Sequence, residues 1–289
     1  AAIVQPSILS DVKWGQRDSL LEHIELSQSA PDADFIFWPE TAIPTELLES
    51  PSHLSQIESF LQDKEGTALV TGAFYSENGL EYNAALAFDK HDVLVYKKQH
   101  LVPFGEYVPM RRFFEIFLPA LTEINMISSD LTSGEESTVF HLEKGRIGTL
   151  VCFDSIFPSL ARDSVNNGAE LLAIITNDSW YKDSRALYHH NAQAVFRAVE
   201  NNRYVVRCAN SGVSSFIDPR GRILYISEPY EKIARVESVG LIEEKTLFTK
   251  TGNVFIFSTA LFIFLYPFIK KKKASSSSFL IHFSSGDKL

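Results

Sequence analysis

Three reactive side chains in this sequence each stand at the end of a short apolar run. Glu40 closes Phe35-Ile36-Phe37-Trp38-Pro39-Glu40, Lys98 follows Val93-Leu94-Val95-Tyr96-Lys97, and Cys152 follows Ile147-Gly148-Thr149-Leu150-Val151. A thiol, a carboxylate and an ammonium group brought together make an acyl-transfer site: a nucleophile, a general base and a cation for the developing oxyanion. Glu106 adds a second carboxylate after Lys98, and Asp154 follows Cys152 closely. Taken singly, each has an ordinary structural explanation: a surface or helix-capping glutamate, a solvated lysine pair, a buried cysteine. Cys208, inside the strand-like run Tyr204 to Ala209, is read as a buried cysteine. For Cys152 the expectation is a lowered thiol pKa, because a helix is expected to start near Pro158 and a cation is at hand.

Chemistry at three distant positions requires elements that bring them together. The runs at 1–5, 35–38, 68–71, 147–151 and 171–176 read as buried strands. Amphipathic segments at 19–29, 51–64, 158–167 and 184–202 read as helices, the last with Ala192, Val195, Phe196 and Val199 as its apolar stripe. Segments 82–88 and 93–97 form one expected hairpin, and 213–217 with 223–226 a second around Asp218-Pro219-Arg220-Gly221. Strand and helix alternate, so the fold class is α/β. In open sheets of this class ligands bind beyond the carboxyl ends of strands, where Glu40, Lys98 and Cys152 are all placed.

Composition bounds the partners. The chain has 289 residues, and 27 Lys and Arg against 36 Asp and Glu give a formal net charge of −9. That balance offers no basic face for nucleic acid. With 45% hydrophobic and 22% charged residues the chain can build a core and is not intrinsically disordered. Two cysteines are too few for a disulfide framework. No metal is expected: His189-His190 lacks ligands at metal spacing and reads as a helix-face pair. Arg197, Glu200 and Arg203 are expected in ion pairs, and Asn210-Ser211-Gly212 in a turn. The chain opens directly on a strand-like run with no leader before it, and is read as a fragment or processed chain.

Two Phe-rich stretches stand apart. Residues 254–269 carry no charge and abut Lys270-Lys271-Lys272-Lys273, the pattern of a membrane stop with lysines on the cytoplasmic side. A span needs about 20 residues, with a lower limit near 17, so a transmembrane helix is expected over 250–270, with a buried C-terminal helix as the alternative. The basic tail, 271–289, is expected to be disordered. The segment 104–121, with Arg111 and Arg112 among its aromatics, reads either as an interfacial element or as a charge-capped core helix.

Trp38-Pro39-Glu40-Thr41-Ala42, Lys98 followed by Leu101-Val102-Pro103-Phe104-Gly105-Glu106, Val151-Cys152-Phe153-Asp154, Thr176-Asn177-Asp178-Ser179-Trp180-Tyr181 and Ile217 to Gly221 together resemble the nitrilase (carbon–nitrogen hydrolase) superfamily. Within it the sequence is most similar to the apolipoprotein N-acyltransferase family. The resemblance implies a four-layer α-β-β-α sandwich over residues 1–245 with a Glu-Lys-Cys triad. Glu40 takes the place of the general base, Lys98 of the oxyanion-stabilising cation and Cys152 of the nucleophile. Glu106 and Asp154 take supporting places, and Trp180 and Phe153 substrate-binding ones. The family usually reads Cys-Tyr-Glu where this chain has Cys152-Phe153-Asp154, and Phe-Gly where it has Tyr181-Lys182. It also carries membrane helices ahead of this domain. The implied reaction moves an acyl chain from a phospholipid through a cysteine thioester to the N-terminal diacylglyceryl cysteine of an apolipoprotein. It takes place on the periplasmic side of a bacterial inner membrane and needs no cofactor. The alternatives are an amidase, in which water resolves the thioester, and a membrane-anchored binding domain without activity.

Overall fold

A computed structural model describes residues 1–8, 19–90, 92–111 and 130–280, with side chains to 267. Residues 1–249 form one compact unit and 250–289 a second. The first unit is built on two sheets. One contains β1 (Ala2–Gln5), β2 (Phe35–Phe37), β3 (Ile43–Glu46), β4 (Ala68–Glu77), β5 (Leu80–Asp89), β6 (Asp92–Lys97) and β13 (Ile233–Val236). Its order is β13-β1-β2-β4-β5-β6, with β3 also on β4. The other contains β7 (Val139–Leu142), β8 (Gly145–Val151), β9 (Leu171–Thr176), β10 (Val205–Ala209), β11 (Ser215–Ile217) and β12 (Ile223–Ile226), in the order β12-β11-β10-β9-β8-β7.

The strands at the centre of each sheet are parallel, β1, β2 and β4 in one and β8, β9 and β10 in the other. Their carboxyl ends therefore point the same way within each sheet. Alternation assigns the faces. Phe35, Phe37, Val70 and Tyr96 from the first sheet pack against Ile147, Val151, Ile175 and Val206 from the second, forming the central core. The opposite face of the first sheet, with Ile36 and Leu69, meets Leu20 of helix α1 (Ser19–Gln28) and Ile57 and Phe60 of α2 (Pro51–Gln62). The opposite face of the second, with Leu150, Leu172 and Ile174, meets Leu160 and Val165 of α3 (Pro158–Asn166) and Ala194 and Ala198 of α4 (Ala186–Asn201). The result is the expected α-β-β-α sandwich.

Helix α4 corrects the sequence reading. Phe196 and Val199 of the expected apolar stripe are exposed, whereas the buried face carries His190, Asn191, Arg197 and Asn201 with Leu187, Ala194 and Ala198. The polar members are buried because they have partners: Arg197 donates to the Ser155 carbonyl and pairs with Glu200, and Asn191 accepts from Ser215. Among the described residues Arg203 makes no ion pair of the kind expected. It is buried and donates to the carbonyls of Ala169, Asn202, Glu243 and Glu244, tying residues 243–244 to the sheet.

In the second unit α6 (Val254–Leu280) follows the short α5 (Leu247–Thr251). No helix among the described residues is long and apolar enough to cross a membrane. The span expected over 250–270 corresponds to the start of this helix, whose side chains are described to residue 267, and the uncharged run in the sequence reaches from Thr251 to Ile269. The helix also continues through Lys271 to Leu280, the beginning of the tail expected to be disordered. Residues 281–289 and 112–129, the latter holding most of the expected interfacial segment, lie outside the described residues. Arg111 in that segment pairs with Asp130 at 2.7 Å.

Candidate active site

The chain folds each reactive side chain into place by ending a strand beside it. Beyond β2 the backbone stays against β4 (Trp38 N–H to Val70 O, 2.8 Å; Gly72 N–H to Pro39 O, 3.2 Å) and delivers Glu40 at the sheet edge. Residue 72 must be glycine for this approach, since a Cβ there would lie 2.6 Å from the Glu40 Cα. Lys98 extends β6, its N–H bonded to the Asn83 carbonyl of β5 at 2.8 Å. Cys152 directly follows β8 and opens a 3-10 turn, Cys152–Ile156, at a left-handed φ of 51°. A non-glycine residue holds that conformation only where its surroundings enforce it.

Lys98 is buried, and its ammonium donates to Glu40 at 3.1 Å and to Glu106 at 2.9 Å. Asn83 crosses between the same two carboxylates, its amide N–H groups 2.8 Å from Glu40 and 2.7 Å from Glu106. The second Glu40 oxygen accepts the Asn177 backbone N–H at 2.8 Å, a bond from one sheet to the other, and Glu106 accepts from Val102 N–H at 2.8 Å. Burial by itself would raise the Glu40 carboxyl, but Lys98, Asn83 and the Asn177 N–H outweigh it and hold the group below its ordinary value. Burial likewise disfavours the Lys98 ammonium, and Glu40 and Glu106 overcome it and hold the group well above its ordinary value. Both groups are charged at neutral pH.

The Cys152 thiol departs from expectation. Burial and then the Glu40 carboxylate push it up, against the pull of Lys98 and a hydrogen bond with Thr176. At rest it is a thiol, so nucleophilic attack requires a base to take its proton during the step. Its helix-side neighbour Asp154 lies behind the site. One Asp154 oxygen accepts from Tyr96 Oη at 2.9 Å and Val151 N–H at 3.2 Å, the other from His100 N–H at 2.8 Å. It thereby ties the lysine segment to the cysteine turn, and burial raises its carboxyl despite Lys98 and these donors.

Glu40, Lys98, Glu106 and Cys152 open on one cavity of about 370 Å³, walled by Phe74, Val102, Pro103, Phe104, Leu131, Phe153, Trp180 and Tyr181. Phe153 and Trp180, the expected substrate contacts, are both in this wall, and Trp180, Tyr181 and Phe104 are exposed in part. Charge sits at the base and apolar surface above it, which suits an ester or amide carbonyl attached to an apolar chain.

Sequence reasoning missed the partners. Asn83 and the Asn177 N–H reach Glu40, and a buried group of Asp178, His190 and Arg207 lies under Cys152. Cys152, Asp178 and His190 bring sulfur, carboxylate and imidazole atoms within 4.8 Å of one another. Those atoms are already engaged: Asp178 accepts from Arg207 at 2.8 Å and Thr176 at 2.9 Å, and Arg207 also approaches His190 Nδ1 at 3.0 Å. The guanidinium already supplies the positive charge there, so the group is a poor cation cage. The signal available in the sequence was His190 itself, set aside as a helix-face residue.

Comparison with known proteins places these features. The family described as carbon-nitrogen hydrolase matches residues 1–237. An apolipoprotein N-acyltransferase of Geobacter metallireducens is 35% identical over 265 residues, 88% of this chain and 50% of that protein. One of Rickettsia bellii is 34% identical over 290 residues, 95% of this chain and 56% of that protein. The chain thus spans about half the length of these curated relatives. Among solved structures, an amidase from Nesterenkonia sp. superposes with a TM-score of 0.60 at 18% identity, covering 89% of this chain and 94% of its own. A carbon-nitrogen hydrolase from Helicobacter pylori G27 gives 0.58 at 16% identity, covering 81% and 86%. At these identities the structural likeness establishes the fold.

Proposed function

This chain belongs to the carbon–nitrogen hydrolase family, and from the site it builds we propose that it is the catalytic part of an apolipoprotein N-acyltransferase. The observation that carries this reading is a charged cluster of Glu40, Lys98 and Glu106 beside Cys152 at the base of an apolar cavity. The similarity to apolipoprotein N-acyltransferases supplies the substrate classes.

In the first half-reaction Glu40 takes the thiol proton as the Cys152 sulfur bonds to the ester carbonyl carbon of a phospholipid. The charge developing on the carbonyl oxygen meets the Lys98 ammonium, already desolvated and fixed in place. The carbon–oxygen bond then breaks, the glycerol oxygen leaves with the proton from Glu40, and a thioester remains. In the second half the α-amine of a diacylglyceryl cysteine loses a proton to Glu40 and attacks the thioester. A carbon–nitrogen bond forms, the carbon–sulfur bond breaks and the proton returns to sulfur. Glu106 and Asn83 keep Lys98 and Glu40 charged and oriented, Asp154 holds the lysine segment against the cysteine turn, and Phe153 and Trp180 flank the acyl chain. The chemistry uses no metal or organic cofactor.

Residues 1–245 form the catalytic domain in this reading and 250–270 its membrane anchor. The anchor rests on the uncharged run ahead of Lys270 to Lys273, with those lysines cytoplasmic and the catalytic domain on the periplasmic side of the inner membrane. The test is transfer to a synthetic diacylglyceryl-cysteinyl peptide from phospholipid vesicles. The expected product is the peptide one acyl chain heavier, in an amide that resists hydroxylamine. Free fatty acid in its place, with the peptide unchanged, would make the chain an amidase-type hydrolase.

A further inference from the structure

His190 lies closer to the nucleophile than any helix-face reading allows. It is buried on α4, and its Nε2 is 3.2 Å from the Cys152 carbonyl oxygen and 3.0 Å from Ser155 Oγ. The Ser155 hydroxyl itself donates to the same carbonyl at 2.7 Å. A carbonyl oxygen only accepts, and the one hydroxyl proton of Ser155 is already directed at it. The contact with the carbonyl is thus a hydrogen bond in the tautomer that carries a proton on Nε2, and in it that proton points at the main chain of Cys152 rather than leaving a lone pair for its sulfur. The other ring nitrogen lies 2.9 Å from an Asp178 carboxylate oxygen and 3.0 Å from the Arg207 guanidinium, and Asp178 is held in turn by Arg207 and Thr176. The group is sealed: Asp178 and Arg207 have no exposed surface, and a Cβ on residue 212 would come within 2.4 Å of the Asp178 carboxylate, so only glycine fits there.

Cys152 needs such a support. Its left-handed backbone is unfavourable for a side-chain-bearing residue, and the carbonyl held by Ser155 and His190 belongs to that same residue. We propose that His190, backed by Asp178 and Arg207, is a positioning residue that locks the left-handed turn at Cys152, and that it does not act as the proton acceptor for the thiol. The proposal rests on the reading of Cys152 as nucleophile, with Glu40 as its base. The charged groups facing the thiol are Glu40 and Lys98 across the cavity and Asp178 from its own sheet, with the Tyr181 hydroxyl nearby.

Two substitutions separate the roles. His190→Gln retains an N–H able to reach the carbonyl but cannot take a proton, and His190→Ala removes both capacities. Each variant is examined by Cys152 alkylation with iodoacetamide across pH, which involves no lipid, and by acylation from a p-nitrophenyl fatty ester followed by intact mass. The expected result is an unshifted alkylation midpoint in both variants, with acylation reduced about 100-fold in His190→Ala and restored to within about 5-fold of the parent in His190→Gln. If the alanine variant does not fold, Ser155→Ala, which deletes the other hydrogen bond to the carbonyl, should lower acylation about 10-fold at an unchanged midpoint. Equal loss in both histidine variants with a displaced midpoint would make His190 the base and overturn the proposal, and so would parental behaviour in both. A parent chain that alkylates at Cys152 but takes no acyl group would instead break the acyl-transfer reading, and the alkylation midpoints would still decide the role of His190.

Discussion

The two cysteines of this chain lie in parallel strands of the same sheet or just beyond them, and burial raises both thiols. Cys208, within β10, is pushed up to about 12 by burial, with its sulfur 3.1 Å from the Phe37 carbonyl and 3.3 Å from that of Val4. Cys152, one residue past β8, is pushed up by burial and by Glu40. What separates them is their neighbours. Cys208 is packed in the central core among acceptors that cannot take a proton. Cys152 opens on a cavity with a carboxylate and an ammonium group at its base. In the proposed reaction, reactivity follows from a base and a cation placed for the moment of attack, rather than from a resting thiolate.

The largest effect on this contrast should come from removing the base. Glu40→Gln leaves Cys152, like Cys208, with no carboxylate to take its proton and should lower the acylation rate by about 10³-fold, read by single-turnover kinetics. Lys98→Met should lower it by about 10²-fold through loss of oxyanion stabilisation. It should also destabilise the domain by about 3 to 5 kcal/mol in urea unfolding, because two buried carboxylates lose their counter-charge. The sign of the pH dependence follows from the same pair. Glu40 is held below its ordinary 4.5, so its contribution to stability is present above that value and is lost as pH falls through the depressed folded pKa. Lys98 is held above 10.5, so its contribution is present below that value and is lost as pH rises through the raised one. In Lys98→Met the acid limb of stability should move to higher pH, because burial of Glu40 is then less opposed. The smallest effect on activity belongs to Cys208→Ala, which should leave turnover within about 2-fold of the parent and lower stability by about 1 to 2 kcal/mol, as a small cavity in the core requires.

The same contrast shows what could be read in advance. Glu40, Lys98 and Cys152 were legible because a buried strand is a plain apolar run and a polar residue at its end must lie near a sheet edge. The α/β class and the four principal helices followed from periodicity. Asn83 was not legible: in β5 it looks like any alternating polar residue, and only the pairing of β5 with β6 places its amide between Glu40 and Glu106. Asn177 acts through its backbone N–H, which residue type does not reveal. Helix α4 was read with the wrong face inward because amphipathic reasoning assumes that what is buried is apolar, whereas His190 and Arg197 are buried through hydrogen bonds contributed by the cysteine turn. The thiol of Cys152 was expected to be lowered by a cation and a helix start, and burial beside a carboxylate outweighed both.

The most direct test is intact mass spectrometry, with peptide mapping, of the protein after incubation with phospholipid vesicles. The account predicts one added acyl chain, mapped to Cys152, absent from Cys152→Ala, retained in Cys208→Ala and released by hydroxylamine. A folded protein that gains no acyl chain, or gains one that persists in Cys152→Ala, would contradict it.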